Sequence, residues 1–267
     1  MPRISVIMGI YNCASTLQEA LDSLYAQTYQ DFEIILCEDG SEDNTYELAL
    51  ENQKNHLNIV LIKNPHNLGL NQTLNNCLVV AKGEYIARMD GDDLCDPTRF
   101  EKQVKFLDKH PEYAIVSNPM LYFDENGVFG KGSAREGEAS KNVFNYGTPF
   151  CHAPCMVRKE AYDKVGGYTV DKRLLRVEDY ELWVKMYAVG YKGYNLGEYL
   201  YSMRDDRNAV ARRNWKNRKN EIYAHWLAYK RLNLSLIKFL KFSAITIFKV
   251  FAPTFVYNYF HKKKLNR

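Results

Sequence analysis

The run Met89-Asp90-Gly91-Asp92-Asp93 puts three carboxylates within four residues, directly after the alternating segment Glu84-Tyr85-Ile86-Ala87-Arg88. Like charges crowded this closely repel, and each stays ionised only when something positive sits among them. A hard divalent cation meets that need, because carboxylate oxygens are its preferred ligands. Gly91 lets the backbone turn sharply, so that Asp90 and Asp92 can address one site. Asp and Gly are also ordinary turn residues. Taken alone, the run reads equally as a metal-binding loop or as a polar turn closing a strand.

The elements that would carry such a loop are legible in the first hundred residues. Residues 4–8, 32–37, 58–62 and 84–89 read as apolar strands. Helices fall between them: one opened by a capping box of Ser15 and Gln18 and running to about Gln27, one over 43–54, and one ending at Gly83 as its C-cap. Pro97 opens another helix. This rhythm predicts an α/β fold with a mostly parallel central sheet flanked by helices, joined by right-handed crossovers. Ligands of such sheets gather at the carboxyl ends of the strands. Three polar clusters lie there: Tyr11-Asn12, Glu38-Asp39-Gly40-Ser41, and Asp90 to Asp93. Neither G-x-G-x-x-G nor a Walker A sequence occurs, which disfavours ordinary dinucleotide and P-loop chemistry.

Beyond residue 111 the pattern loosens. Residues 114–116 read as a strand, 127–137 as a mobile loop, and 158–164 as a short helix ended by Gly166-Gly167. Arg176-Val177-Glu178-Asp179-Tyr180-Glu181-Leu182-Trp183 opens a further helix reaching about Gly190. Acidic residues in a first turn suit the helix dipole, which is the bland account of Glu178 and Asp179. Asp179 and Trp183 also share a helical face, and a carboxylate beside an indole would make a floor for a sugar and its acceptor.

With 267 residues the chain suffices for one large α/β domain or two intimate halves. Its net charge of +4 hides an asymmetry: residues 1–203 hold 20 basic and 29 acidic side chains, whereas residues 204–267 hold 16 and 3. The six cysteines form no C-x-x-C pair, and Cys151-His152-Ala153-Pro154-Cys155 lacks the second cluster that structural zinc requires. No secretory signal is evident, so reduced thiols in the cytoplasm are expected. Residues 234–251 are apolar but carry Lys238, Lys241 and Lys249, which fall within roughly 80° at helical spacing, joined by Ser235 and Thr246. That pattern predicts an interfacial amphipathic helix, the uncharged runs being well short of the ~20 residues of a span. Ala252-Pro253 breaks it, and Phe255, Tyr257, Tyr259 and Phe260 then precede three lysines, as at a membrane interface. Arg212, Arg213, Lys216, Arg218 and Lys219 surround Trp215, which would permit nucleic-acid stacking. The amphipathic segment that follows makes an anionic membrane surface the expected partner and nucleic acid not.

The ordered set of pieces over residues 3–204 resembles the family 2 inverting glycosyltransferases of the GT-A fold, of the bacterial capsule, exopolysaccharide or lipopolysaccharide type. The matching pieces are Ser5-Val6-Ile7-Met8 to Asn12, Cys37 to Ser41, Asn67-Leu68-Gly69 with Asn71, Gly83 to Asp93, His152 before Met156, Gly166-Gly167-Tyr168, and Glu178 to Trp183. The resemblance implies a GT-A (Rossmann-like) domain with a nucleotide-sugar-binding half over 1–110, an acceptor half over 111–203 and a membrane-associating helical tail over 204–267. It implies inverting transfer of a hexose or N-acetylhexosamine from a UDP-sugar to a glycan or polyprenyl-linked acceptor at the cytoplasmic face of a membrane, held peripherally. By the same analogy Asp39 accepts a hydrogen bond from the base, Tyr11 and Asn12 line the nucleotide slot, and Asn67 and Arg88 serve the donor. Asp92 ligates Mn²⁺ or Mg²⁺, Asp90 meets the ribose or the metal, and Asp179 is the general base. His152, Glu178 and Trp183 fall on the acceptor side.

The chemistry asks for such parts on its own account. A nucleoside diphosphate leaving group develops negative charge that a divalent cation neutralises. An acceptor hydroxyl becomes a good nucleophile once a carboxylate takes its proton, an effect worth about 10²–10⁴-fold. The sequence departs from the family in two places. Glu38 precedes Asp39 where Asp is commoner, and Asp205-Asp206-Arg207 follows Arg204 where many relatives carry a metal-binding His. Asp206 or water would then complete the metal shell, and Arg204 either reaches a phosphate or pairs with Asp205 or Asp206. A metal-dependent nucleotidyltransferase is the first alternative, but Gly9 to Ser15 carries no cation for a phosphate loop. A non-catalytic membrane-bound scaffold is the second, although it has no need of Asp39, Asp90, Asp92 and Asp179 together.

Overall fold

The computed structural model describes residues 1–133, 135–205 and 215–251. Strand β1 (Ile4–Ile10), helix α1 (Leu17–Tyr25), β2 (Phe32–Glu38), α2 (Thr45–Asn55), β3 (Ile59–Lys63), α3 (Leu70–Val80) and β4 (Tyr85–Arg88) follow the predicted alternation. β5 (Leu94–Cys95), α4 (Arg99–Lys109), β6 (Ile115–Ser117), β7 (Met120–Asp124), β8 (Gly127–Lys131), β9 (Gly137–Glu138) and β10 (Met156–Arg158) come next. The chain continues through α5 (Lys159–Val165), α6 (Glu178–Ala188), β11 (Gly193–Asn195), β12 (Tyr201–Arg204), α7 (Trp215–Leu232) and α8 (Leu236–Phe251).

One eight-stranded sheet has the order β3-β2-β1-β4-β10-β6-β11-β9. It is parallel from β3 to β4, and β10 lies antiparallel between β4 and β6. Every residue of β2 is buried, as a strand covered on both faces requires. Alternate residues feed the two faces: Ile7, Ile35 and Cys37 join one core, and Val6, Met8, Ile34 and Leu36 the other. Ile10 pairs with Glu38 and Ile7 with Arg88, so residues 11, 39 and 89–93 leave the sheet along one edge. A second sheet, β5-β12-β7-β8, sets Tyr201–Arg204 beside the strand that follows Asp93.

The structure corrects several local expectations. No Ser15 capping box forms; the N-cap of α1 is Thr16, whose hydroxyl donates to the carbonyls of Cys13 and Gly91. Gly83 is not a helix C-cap, because α3 stops at Val80 with Ala81 as its cap. Glycine is needed there because a Cβ would lie 2.5 Å from the Ser5 nitrogen. Pro97 stands two residues ahead of α4, whose N-cap is Thr98. The expected loop over 127–137 is largely paired, β8 closing a hairpin with β7 and β9 joining β11. Helix α7 belongs to the body and not to a separate tail: Ala224, Ala228 and Leu232 are buried in the core that holds Trp183 and Ile7. Among the described residues no helix is long and apolar enough to cross a membrane. The aromatic and basic segment after Phe251 lies outside the described residues, as does Asp206.

Candidate active site

The edge where β1 and β2 end is stapled by polar side chains. Asn12 adopts a left-handed φ of 47°. Its backbone N–H donates to Ser41 Oγ at 3.0 Å, and its Oδ1 accepts from the Glu42 N–H at 2.8 Å. Tyr11 is left with its ring exposed beside this clamp. Asp39 is buried and accepts from Asn64 Nδ2 at 2.8 Å and from the backbone N–H groups of Leu68 and Gly69 at 2.7 and 3.0 Å. A carboxylate has about four lone-pair sites, so these three leave one on Oδ2 for a further donor. Gly40, at φ +75°, passes so close to the Asn67 loop that a Cβ would sit 2.7 Å from the Asn67 nitrogen. Asn67 is exposed and steadies the same loop through Gly69 N–H.

At the end of β4, Arg88 is buried and donates to both oxygens of Asp90, at 2.9 and 2.6 Å. This corrects the expectation of an Arg88 that addresses the donor directly; it holds a carboxylate in place. Burial works against its charge, and Asp90 restores it. The Asp90 N–H donates to Tyr201 Oη at 3.2 Å, and Asp93 Oδ1 accepts from the Arg204 N–H at 2.8 Å. Burial, then Asp90 and Asp92, push the Asp93 carboxyl up to about 8. Arg204 pairs with Glu19 and donates to the Asp92 carbonyl at 3.0 Å, partners that the expected phosphate or Asp205/Asp206 contacts did not include; Asp206 lies outside the described residues.

Asp92 is exposed at the lip of this loop. Enough protein still surrounds its carboxyl for burial to raise its pKa, ahead of the charge of Asp90. A carboxylate crowded in this way gains from a cation. Among the described residues no three His, Cys, Asp or Glu side chains gather into a metal cage. Small divalent cations at nucleotide sites are held by one or two carboxylates, with substrate phosphates and water completing the shell. Asp92, with Asp90 behind it, fits a site of that kind and not a structural one.

Helix α6 brings Asp179 to the same centre. Burial first, and then Glu178, raise its carboxyl to about 6, against the charge of Arg88. Glu178 is half-buried beside it. His152 meets Tyr168 Oη at 2.8 Å, and burial with Arg88 holds its imidazole well below the usual range, hence neutral. Trp183 does not supply a sugar floor. It is fully buried, edge-on to Phe150 and His152 with ring centroids 5.6 and 5.8 Å apart. Asp179 sits in the first turn, but one turn later α6 is already inside the core.

Sequence reasoning missed Arg99, a fully buried guanidinium that donates to Gln103 and to backbone carbonyls. Its Nη2 donates to the carbonyls of Arg88, Ala153 and Cys155 at 3.0, 3.4 and 3.2 Å. It thereby ties the end of β4 to the loop that carries His152. The signal was present only as an Arg in a helical first turn. An open cleft of about 660 Å³ lies at the opposite end of the sheet, lined by Arg3, Lys82 and Glu84, and holds none of the predicted site residues.

Known proteins resemble this chain in sequence and in fold. The sequence model of Glycosyl transferase family 2 matches residues 5–166. EpsE of Bacillus subtilis, provisionally named a glycosyltransferase, is 42% identical over 99% of this chain and 95% of its own. An Escherichia coli UDP-Gal:alpha-D-GlcNAc-diphosphoundecaprenol beta-1,3-galactosyltransferase is 30% identical over 100% of this chain and 98% of its own. Among solved structures, S. aureus TarS 1-349 in complex with UDP-GlcNAc superposes with a TM-score of 0.72 at 19% identity, over 92% of this chain and 71% of that one. The mannosyltransferase PcManGT from Pyrobaculum calidifontis, in complex with GDP-Man and Mn²⁺, gives 0.65 at 18% identity over 92% and 84%.

Proposed function

The chain belongs to glycosyl transferase family 2 and has the GT-A fold, and from that premise we propose that it moves a hexose or N-acetylhexosamine from a UDP-sugar, with inversion, onto a polyprenyl-linked or glycan acceptor. The observation that carries the reading is the convergence on Arg88. Its guanidinium clamps Asp90 on the donor side, and its charge reaches Asp179 on the acceptor side. Carboxylates from two distant segments thus lie within electrostatic reach of one guanidinium.

In this reading residues 1–110 take the nucleotide-sugar and residues 111–203 the acceptor. Asp39 accepts from the base with its remaining lone pair, and Tyr11 and Asn12 form the slot. Asp92, backed by Asp90, would hold Mn²⁺ or Mg²⁺, which neutralises the charge developing on the diphosphate. Asp179 takes the proton of the acceptor hydroxyl as that oxygen attacks the anomeric carbon and the bond to the diphosphate breaks. A carboxyl poised near 6 is ionised at neutral pH yet basic enough to accept a proton in the transition state. Glu178 and His152 shape the acceptor side, His152 as a neutral hydrogen-bonding group. The polyprenyl-linked acceptor of the galactosyltransferase relative supports a lipid-linked acceptor here, and residues 234–267 would hold the chain peripherally on the cytoplasmic face of a membrane.

The test is a panel of nucleotide sugars with Mn²⁺, scored for release of free nucleoside diphosphate by the wild type and by Asp92→Ala. Turnover of one UDP-sugar that disappears in the variant is expected. Release of pyrophosphate from a nucleoside triphosphate would replace the reading with a nucleotidyltransferase.

A further inference from the structure

Helix α8 turns the less apolar part of its surface inward. Phe239 stacks on Tyr229 and Phe242 on His225, with ring centroids 5.7 and 3.4 Å apart, and Thr246 is fully buried. The hydroxyls of Ser243 and Thr246 face this seam. At about 100° per residue the opposite half of the helix carries Ile237, Leu240, Ile245, Ile247 and Phe248, all exposed, with Ile237 at 79% and Phe248 at 72%. Lys241 is the charge within that half. Lys238 stands at its border, 5.3 Å over the Tyr146 ring. Of the polar face expected from Lys238, Lys241, Ser235 and Thr246, Ser235 and Lys241 are exposed, whereas Thr246 is buried in the seam. Single exposed apolar residues are ordinary, but a contiguous half-helix of large ones marks an interaction surface.

Charge identifies the occupant. Residues 204–267 hold 16 basic and 3 acidic side chains, and the sequence beyond α8 adds Phe255, Tyr257, Tyr259 and Phe260 before Lys262-Lys263-Lys264. A second copy of this chain would bring like charges together. An anionic phospholipid surface instead takes the apolar half into its acyl boundary and the lysines at its headgroups.

The helix pairing says where that surface lies. Tyr229 meets Phe239 and His225 meets Phe242, so α8 runs back along α7 toward Asn220. Asn220 donates to the carbonyls of Lys172 and Leu175, in the turn that leads into Asp179. Further along α7, His225 meets Tyr180 at 3.3 Å and Arg231 pairs with Glu181 at 2.6 Å, both neighbours of Asp179 on α6. We infer that the outward face of α8 docks on an anionic phospholipid surface and, through α7, sets the Asp179 side of the cleft against it, so that a lipid-linked acceptor is met at the bilayer. The docking stands on the α8 surface and the charge of residues 204–267; its consequence for the acceptor rests on the function proposed above.

The test is flotation of the full chain with phosphatidylcholine vesicles, with and without one quarter phosphatidylglycerol. Wild type, Ile237→Asp, Phe248→Asp and the exposed control Val128→Asp are compared, with thermal melts to verify folding. The wild type and Val128→Asp should float with the anionic vesicles, and both α8 variants should lose at least tenfold in bound fraction with unchanged melts. Transfer to a long-chain lipid-linked acceptor in those vesicles should fall at least tenfold in the α8 variants, while transfer to a short-chain soluble analogue stays the same. Equal flotation of all four proteins, or none by the wild type, overturns the docking. So does a wild-type dimer by light scattering that the α8 variants dissociate without any vesicle binding. Equal loss on both acceptors overturns the placement of the cleft. A wild type that floats yet turns over no donor supports the docking and removes the proposed function instead.

Discussion

Asp179→Asn should raise stability at neutral pH while removing transfer. Burial lifts the Asp179 carboxyl from the ordinary 3.8 to about 6. In the window between those values the unfolded chain has released this proton and the folded protein keeps it. Stability therefore falls as pH rises through that window and stays reduced above it. The full displacement corresponds to about 3 kcal/mol, and partial solvent access to Asp179 brings the expectation to about 1–3 kcal/mol. An amide of the same shape carries no charge to desolvate, so the variant should melt about 2–8 °C above the wild type near pH 7.5. The gap should shrink by more than half near pH 4.5, where the wild-type carboxyl is protonated in the folded protein. Transfer should drop by about 10²–10⁴-fold. Calorimetric melts at the two pH values and a turnover assay at the higher one decide it. A variant less stable than the wild type at pH 7.5, or a gap that does not close in acid, would refute the burial argument.

Three other expectations concern the shell around the site. Asp39→Asn points an amide N–H₂ at Asn64, Leu68 or Gly69 and should weaken UDP binding at least tenfold by calorimetry, with about 1–3 kcal/mol lost in urea unfolding. Arg99→Met removes a donor shared by the carbonyls of Arg88, Ala153 and Cys155, and should cost about 2–4 kcal/mol and lower kcat more than it raises the donor KM, with Arg99→Lys recovering part of both. Trp183→Phe should lose about 1–3 kcal/mol of stability with the acceptor KM unchanged, because the indole is core; a raised acceptor KM at unchanged stability would return it to the sugar floor.

The first half of the fold was legible because its strands are long apolar runs and its helices fill the intervals at regular spacing. The carboxyl-end rule alone assigns Tyr11, Asn12, Asp39 and Asp90 to one edge of the sheet. Legibility failed where a side chain's destination depends on packing. Asp179 and Trp183 share a helical face in projection, yet the helix enters the core within one turn, leaving one half-exposed and the other sealed. Arg88 looked like a cation for an anionic ligand until Asp90, two residues on, took both of its terminal nitrogens. Helix α8 was readable as amphipathic, but which arc faces out is decided by His225 and Tyr229 on a neighbouring helix, and no spacing rule encodes that.

The most direct test of the central claim is the configuration of the product. With an α-linked UDP-sugar and a lipid-linked acceptor, nuclear magnetic resonance of the new glycosidic bond should show a β anomer. That is the outcome of a single in-line displacement with Asp179 as the base. An α anomer would mean two displacements or a front-face route, and would contradict the role given to Asp179.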